Sequence, residues 1–357
     1  MGALGTAPSS RLRRSAVTVY EPVEDLPSVR KPRLRTGVVI PCYKVRAQIL
    51  GVLEQIGPTV ERIYVVDDAC PEKTGALVQD SCHDPRVHVI FNPKNAGVGG
   101  AVIEGYKAAL RDGMDVIVKL DGDGQMDPML VPDLVGPIAD GEADYTKGNR
   151  FYSLDRISEM PRLRILGNAL LSLMTKLSAG YWNIFDPTNG YTAIHAKVAR
   201  QLPLEKISRR YFFETDMLFR LNTIRAVVLD VPIDARYGSE ASSLRISRIV
   251  FEFALKHVRN FFKRVFYNYY LRDMSIASIQ LPLGVGMLLA GVGYGFTTWR
   301  AGLEQSSPSN AGTVTLIALL VILGTQFILA FLGYDIASVP TKAINPQLPP
   351  RAATAER

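Results

Sequence analysis

Cysteine and histidine are scarce in this sequence, and neither is spaced for chemistry of its own. The 357 residues hold three cysteines, Cys42, Cys70 and Cys82. They form no CxxC pair, and their odd number argues against a disulfide framework and for reduced thiols in a cytosolic domain. The four histidines, His83, His88, His195 and His257, show no HExxH or other ligand spacing. Residues 1–35 lack the apolar run of a secretory signal, so none is expected, and their polar, Pro-containing composition predicts a disordered tail. There is no zinc-finger or RNP-like motif, and nucleic acid is not an expected partner.

Charge of one sign is also missing from most of the chain. The net charge is +7, but two segments supply it. Residues 1–35 carry seven Lys/Arg against three Asp/Glu, and residues 245–272 carry seven against one. The remainder is slightly acidic. A basic excess confined in this way suits an anionic surface better than a nucleic-acid groove.

Charge-free runs are present, and they lie near the C-terminus. Residues 276–298 and 311–334 contain no charged side chain. Each exceeds the ~20 residues a helix needs to cross a bilayer. The segment before them, 245–272, places Phe251, Leu255, Val258, Phe262, Val265 and Tyr269 at three-and-four spacing. Arg245, Arg248, Glu252, Lys256, Arg259 and Lys263 share that spacing on another face. A basic amphipathic helix or helix pair of this kind lies in a lipid interface. The lysine and arginine excess before the first run predicts a hairpin with the preceding domain and both termini cytosolic. The expected divisions are therefore a tail at 1–35, a globular domain at 36–244, juxtamembrane helices at 245–272, two spans within 273–337 and a cytosolic tail at 338–357. Gly291 and Gly295 form a GxxxG, a spacing that permits helix–helix packing and a homo-oligomer through these helices.

Between residues 36 and 143, short β-branched runs alternate with helical spacing. The strands are read at "TGVVIPCY", "ERIYVVDDA", "RVHVIFN" and "MDVIVKLDGDG". This predicts an α/β domain, a mostly parallel sheet with helices on both faces. Ligands on such sheets sit beyond the carboxyl ends of the strands. Pro41 to Tyr43, Asp67-Asp68, Asn95 to Gly100 and Asp121 to Asp127 all fall there. After Ala143 the alternation weakens. A strand is expected in "ADYTKGNRF", helices over 160–180 and in "YFFETDMLFRLNTIRA", and a strand in "VVLDVPIDARY".

Asp121 and Asp123 flank one glycine. A solvated turn has this composition. A divalent metal on a diphosphate also needs it: hard oxygen ligands with room left for the phosphates. Asp67 and Asp68 are placed to accept hydrogen bonds from a base or ribose. The loop Asn95, Gly97, Gly99 suits close approach of backbone to a ligand. It fails as a dinucleotide fingerprint, because Val102 stands where a third glycine is required.

Taken together, "IPCY", "VVDD", "NAGVGGA", "DGDGQ" and Gly148-Asn149-Arg150 resemble glycosyltransferase family 2, and within it the polyprenyl-phosphate glycosyltransferases. The resemblance covers about residues 36–335. It implies a GT-A (Rossmann-like, nucleotide-binding) fold, Mg²⁺ or Mn²⁺, and transfer with inversion of a sugar from a UDP- or GDP-linked donor to a polyprenyl phosphate at the cytosolic face of a membrane such as the bacterial inner membrane. Carried over position by position, Asp121 and Asp123 bind metal and diphosphate. Pro41, Tyr43, Asp67, Asp68, Asn95, Gly97, Gly99, Gln125 and Arg236 contact the nucleotide-sugar. Arg150, Arg164, Asn168 and Ser242 contact the acceptor phosphate, and Glu214 and Asp216 assist the reaction. One departure is that relatives often have Asn-Glu after the tyrosine, where this chain has Lys44-Val45. An alternative is a processive or single-addition membrane polysaccharide glycosyltransferase with a saccharide acceptor. A processive synthase would carry a Q-x-x-R-W motif, and no Arg-Trp pair occurs.

Overall fold

The computed structural model describes residue 2 and residues 34–152, 162–233, 246–305 and 307–349, without the side chains of 162–166 and 246–250. The tail expected at the N-terminus (all but Gly2, Leu34 and Arg35), Arg236, Ser242, the side chain of Arg164 and the last residues of the chain lie outside the described residues.

Seven strands form one sheet: β1 (Thr36–Cys42), β2 (Arg62–Asp67), β3 (Val87–Phe91), β4 (Val116–Lys119), β5 (Tyr145–Asn149), β6 (Thr192–His195) and β7 (Val228–Pro232). Their order is β3-β2-β1-β4-β6-β5-β7. The helices between them are α1 (Ile49–Glu54), α2 (Thr74–Ser81), α3 (Val98–Arg111), α4 (Val131–Ala139), α5 (Arg162–Ala179), α6 (Ala196–Ala199) and α7 (Phe213–Thr223). Side chains alternate across the strands and build a core on each face. Val39, Tyr64, Val66 and Ile117 pack with α3 and α7 residues. Val38, Ile40, Ile63, Val65, Val116 and Val118 pack with α1 and α4 residues. Burial on both faces is why these strands read as continuous apolar runs. The expected α/β architecture is present, GT-A-like in its arrangement.

The strand β6, which the sequence pattern does not announce, reverses the sheet locally. It pairs antiparallel with both β4 and β5, whereas β1–β2, β2–β3, β1–β4 and β5–β7 are parallel. The carboxyl ends of β1, β2, β4, β5 and β7 therefore share one edge of the sheet. Because β6 runs the other way, its entering loop, Asp186 to Tyr191, arrives at that same edge.

After the sheet come α8 (Ile246–Phe266), a π-helical turn (Tyr267–Arg272), α9 (Ile276–Gln305) and α10 (Ala311–Ala337). A single helix replaces the helix pair considered for 245–272. It docks by its polar side. His257, Asn260 and Arg264 are buried, while Phe251 and Phe262 are 74% and 65% exposed. Asn260 donates to Asp216 (3.1 Å), His257 Nδ1 pairs with Ser178 (2.7 Å) and Arg264 donates to the Leu177 carbonyl (2.8 Å). Of the expected apolar stripe, Val265 and Tyr269 turn inward, and Phe251, Leu255, Val258 and Phe262 face out.

Both α9 and α10 are long and apolar enough to cross a membrane, and both are mostly unburied in the chain itself. α9 runs beyond the expected 298 to Gln305, and Arg300 pairs with Glu304 one turn on (3.2 Å) in that extension. The GxxxG glycines face α10 of the same chain: a Cβ on Gly291 would meet Val321 at 2.9 Å, and one on Gly295 would meet Ile317 at 3.1 Å. Beyond α10 the chain returns to the sheet domain. Ile344 and Asn345 amides donate to the buried Asp144 (2.7–3.1 Å), and Val339, Ile344 and Leu348 pack against the core.

Candidate active site

The apolar strand β4 ends on Lys119, and alternation places its side chain on the Ile117 face, toward α7. Lys119 is 1% exposed, and its ammonium lies 2.9 Å from Asp121 and 3.4 Å from Glu214. Burial works against the charge, but Asp121 and Glu214 outweigh it and the pKa is raised. Gly190 covers this pair. A Cβ there would collide with the Lys119 ammonium and approach Asp121 Oδ2 to 2.9 Å, so any larger residue would have to displace this ion pair. Lys119 and Gly190 were both missed as site residues. The signal was a lysine inside a strand otherwise buried on both faces, where an unpaired charge is not tolerated.

Asp121, Gly122 and Asp123 follow at once. Asp123 Oδ1 accepts from the Gln125 amide (3.0 Å), within a turn that Gly124 closes at φ +76°. Among the described residues no three His, Cys, Asp or Glu converge as a metal cluster. A two-carboxylate set still fits Mg²⁺ or Mn²⁺, which is usually held by one or two carboxylates together with substrate phosphates. Asp127 serves the backbone instead, capping the turn Pro128–Leu130 by accepting from Met129 (3.0 Å).

The structure separates Glu214 from Asp216. Glu214 joins Lys119. Asp216, two residues on and so on the far side of α7, accepts from the Ser208 amide (2.9 Å), Arg220 (3.4 Å) and Asn260 of α8 (3.1 Å). Its carboxylate ties α7 to α8.

The second acidic pair is likewise engaged by the protein. Asp67 accepts from the amides of Cys70 (2.7 Å) and Gly75 (2.6 Å), holding the start of α2. Asp68 accepts from Asn92 and from the amides of Ala96 and Gly97, each at 2.8 Å, and so fixes the glycine loop. Asn95 donates to the Asp68 carbonyl (3.4 Å). Gly97 and Gly99 do permit a close approach, but of the Ser208–Arg209 backbone: a Cβ on either would sit 2.5 Å from one of its carbonyls. Pro41 closes β1 half-buried, and Tyr43 is 46% exposed at the same edge. Lys44 has φ +59°, a conformation asparagine adopts more readily than lysine.

β5 delivers the cationic side. Arg150 donates to Asp186 through Nε (2.8 Å) and Nη2 (3.2 Å). Burial opposes the Asp186 carboxylate, but Arg150 and Lys147 more than offset it and hold its pKa below the usual carboxylate range. Lys147, three residues before Arg150 in sequence and deeper in β5, is 1% exposed and donates to the Asn189 carbonyl (2.6 Å). Burial pulls its pKa down to about 8, against Asp186, Asp230 and Glu214. Lys147 was also missed. Asn168 lines a cleft beside this group with Phe151, Leu171, Phe185 and Pro187.

Residues 37–202 match the family model described as glycosyl transferase family 2. The chain is 32% identical to the polyprenol monophosphomannose synthase of Mycolicibacterium smegmatis, over 58% of this chain and 79% of that protein. It is 33% identical to the undecaprenyl-phosphate mannosyltransferase of Micrococcus luteus, over 56% of this chain and 83% of that one. Among solved structures it is similar to mannosyl-3-phosphoglycerate synthase from Rubrobacter xylanophilus, with 17% identity, a TM-score of 0.49, and coverage of 68% of this chain and 77% of that chain.

Proposed function

The chain belongs to glycosyl transferase family 2 and is a glycosyltransferase; from that premise we propose that it moves a sugar, mannose in the first instance, from a nucleotide-sugar to a polyprenyl phosphate. One observation carries the reading. At one sheet edge, Asp121-Gly122-Asp123 and the Arg150–Asp186 pair stand with an apolar cleft beside them. The donor side is acidic, as a cation-bound diphosphate requires, and the acceptor side offers a guanidinium next to apolar surface.

A phosphate oxygen of the acceptor attacks the anomeric carbon, and the nucleoside diphosphate leaves from the opposite face, so configuration inverts. The acceptor phosphate has a second pKa of ~6, as in phosphorylated side chains, so it is already anionic and needs no strong base. Catalysis reduces to orientation and to neutralising the leaving diphosphate. Asp121 and Asp123 would hold Mg²⁺ or Mn²⁺, which supplies positive charge to that diphosphate. Lys119 pairs with Asp121 and Glu214 and holds both in place. Arg150 grips the acceptor, held in orientation by Asp186. Asn168 completes this side, and Tyr43 with the loops fixed by Asp67 and Asp68 lines the nucleoside side.

The exposed apolar faces of α8, α9 and α10 support a membrane hairpin, and the Lys/Arg excess just before it supports a sheet domain on the cytosolic side. A cysteine replacing Ser309, in a Cys82→Ser background, is expected to label from the far side of the membrane, and one replacing Thr341 only after permeabilisation. The reverse pattern would overturn the topology.

The function is tested by incubating the purified protein with GDP- and UDP-linked sugars and undecaprenyl phosphate. A lipid-linked mannose is expected, and turnover onto a saccharide acceptor alone would favour the polysaccharide alternative. For the division of the site, Arg150→Lys replaces a bidentate fork by a point charge. A charge-assisted contact of ~1.5–3 kcal/mol corresponds to roughly a ten- to hundredfold effect. That loss is expected in kcat/KM for the polyprenyl phosphate, with donor KM nearly unchanged. A collapse of donor affinity would instead assign Arg150 to the diphosphate.

A further inference from the structure

Two lysines lie inside the sheet, where lysine is almost never fully buried without a partner. In register, Lys119 of β4 and Lys147 of β5 both pair with Thr192 of β6, one on each side. Lys119 is accounted for by Asp121 and Glu214. Lys147 has no carboxylate in direct hydrogen-bond contact among its described partners; its bond is to the main-chain carbonyl of Asn189 at 2.6 Å. That carbonyl lies in the loop that carries Asp186 at one end and Gly190 at the other. Asp186 orients Arg150, and Gly190 leaves space for the Lys119–Asp121 pair.

We propose that Lys147 is a positioning residue, which holds the Asp186–Gly190 loop through Asn189 and thereby sets the guanidinium of Arg150 for the acceptor phosphate. The proposal rests on the assignment of Arg150 made above. The groups that face the Lys147 ammonium are Asp186, Asp230 of β7, Glu214 of α7 and Arg150 itself. While Lys147 is charged, the Asp186 carboxylate is shared between two cations, and Arg150 retains attraction for an incoming anion. Once Lys147 is neutral, Asp186 draws the guanidinium to itself and acceptor binding weakens. With its pKa lowered to about 8, Lys147 loses its proton as pH rises through that value.

The test is the pH dependence of kcat/KM for undecaprenyl phosphate at saturating donor, for wild type, Lys147→Met and Lys147→Arg. Wild type is expected to decline above pH ~8. Lys147→Met should be low throughout, on the order of a hundredfold below wild type at neutral pH, with no alkaline limb. Lys147→Arg, which stays charged, should hold its activity past that limb. If Lys147→Met does not fold, wild type and Lys147→Arg decide alone. An alkaline limb that survives in Lys147→Arg, or a Lys147→Met enzyme with wild-type kcat/KM at pH 7, overturns the proposal. Arg150→Lys measured in parallel separates the two readings. If it and Lys147→Met both act on donor KM, the acceptor assignment fails while the positioning role stands.

Discussion

Replacing Asp123 with alanine is expected to lower kcat by on the order of a hundred- to a thousandfold, the cost of removing one preorganised charge-stabilising group from a reaction centre. The fold should survive. Asp123 sits half-exposed on a turn, and its hydrogen bond to the Gln125 amide is local. Asp121→Ala is expected to lose as much activity but also some stability. It removes the 2.9 Å partner of Lys119 and leaves that fully buried ammonium with Glu214 alone. The measurements are kcat with Mn²⁺, thermal midpoint, and Mn²⁺ binding in the presence of nucleoside diphosphate. Full turnover in EDTA, or an Asp123→Ala enzyme that binds Mn²⁺ and turns over normally, would remove the metal from the mechanism.

The second large effect lies far from the chemistry. Asp335, at the end of α10, receives Arg264 of α8 through two bonds (2.6 and 3.0 Å), Tyr269 (2.5 Å) and Trp182 of the sheet domain (2.9 Å). Arg264 and Asp335 are each 1% exposed. Asp335→Ala leaves a buried guanidinium without its counter-ion and is expected to cost about 3–5 kcal/mol. The double change Arg264→Met with Asp335→Leu should cost less than the single one, because no charge is then stranded. Denaturant unfolding in detergent reads both, and Trp182 emission reports whether the hairpin has come away. A single mutant within about 1 kcal/mol of wild type would show that the cluster does not join hairpin to domain, since that is the range of an exposed pair.

Several features were legible in the residues alone because the physics behind them is local. A β-branched run ending in Asp-Gly-Asp has one reading as a strand and one as the turn after it, and β4 with its Asp121–Asp123 turn follows both. A charge-free run of twenty-odd residues must be helical if it is to satisfy its own backbone away from water, and α9 and α10 are. Neighbouring residues cannot tell what covers a face, and tertiary structure decided everything of that kind. Periodicity identified on α8 an apolar stripe suited to an interface, but not that His257, Asn260 and Arg264 dock the helix by its other side. Glu214 and Asp216 look equivalent in sequence, yet helical geometry sends one to Lys119 and the other to Asn260. The GxxxG of α9 meets α10 of its own chain. Lys119, Lys147 and Gly190 lie far apart in sequence. They become one site only because β6 inserts antiparallel between β4 and β5, bringing two buried charges and the glycine that clears space for one of them to the same sheet edge.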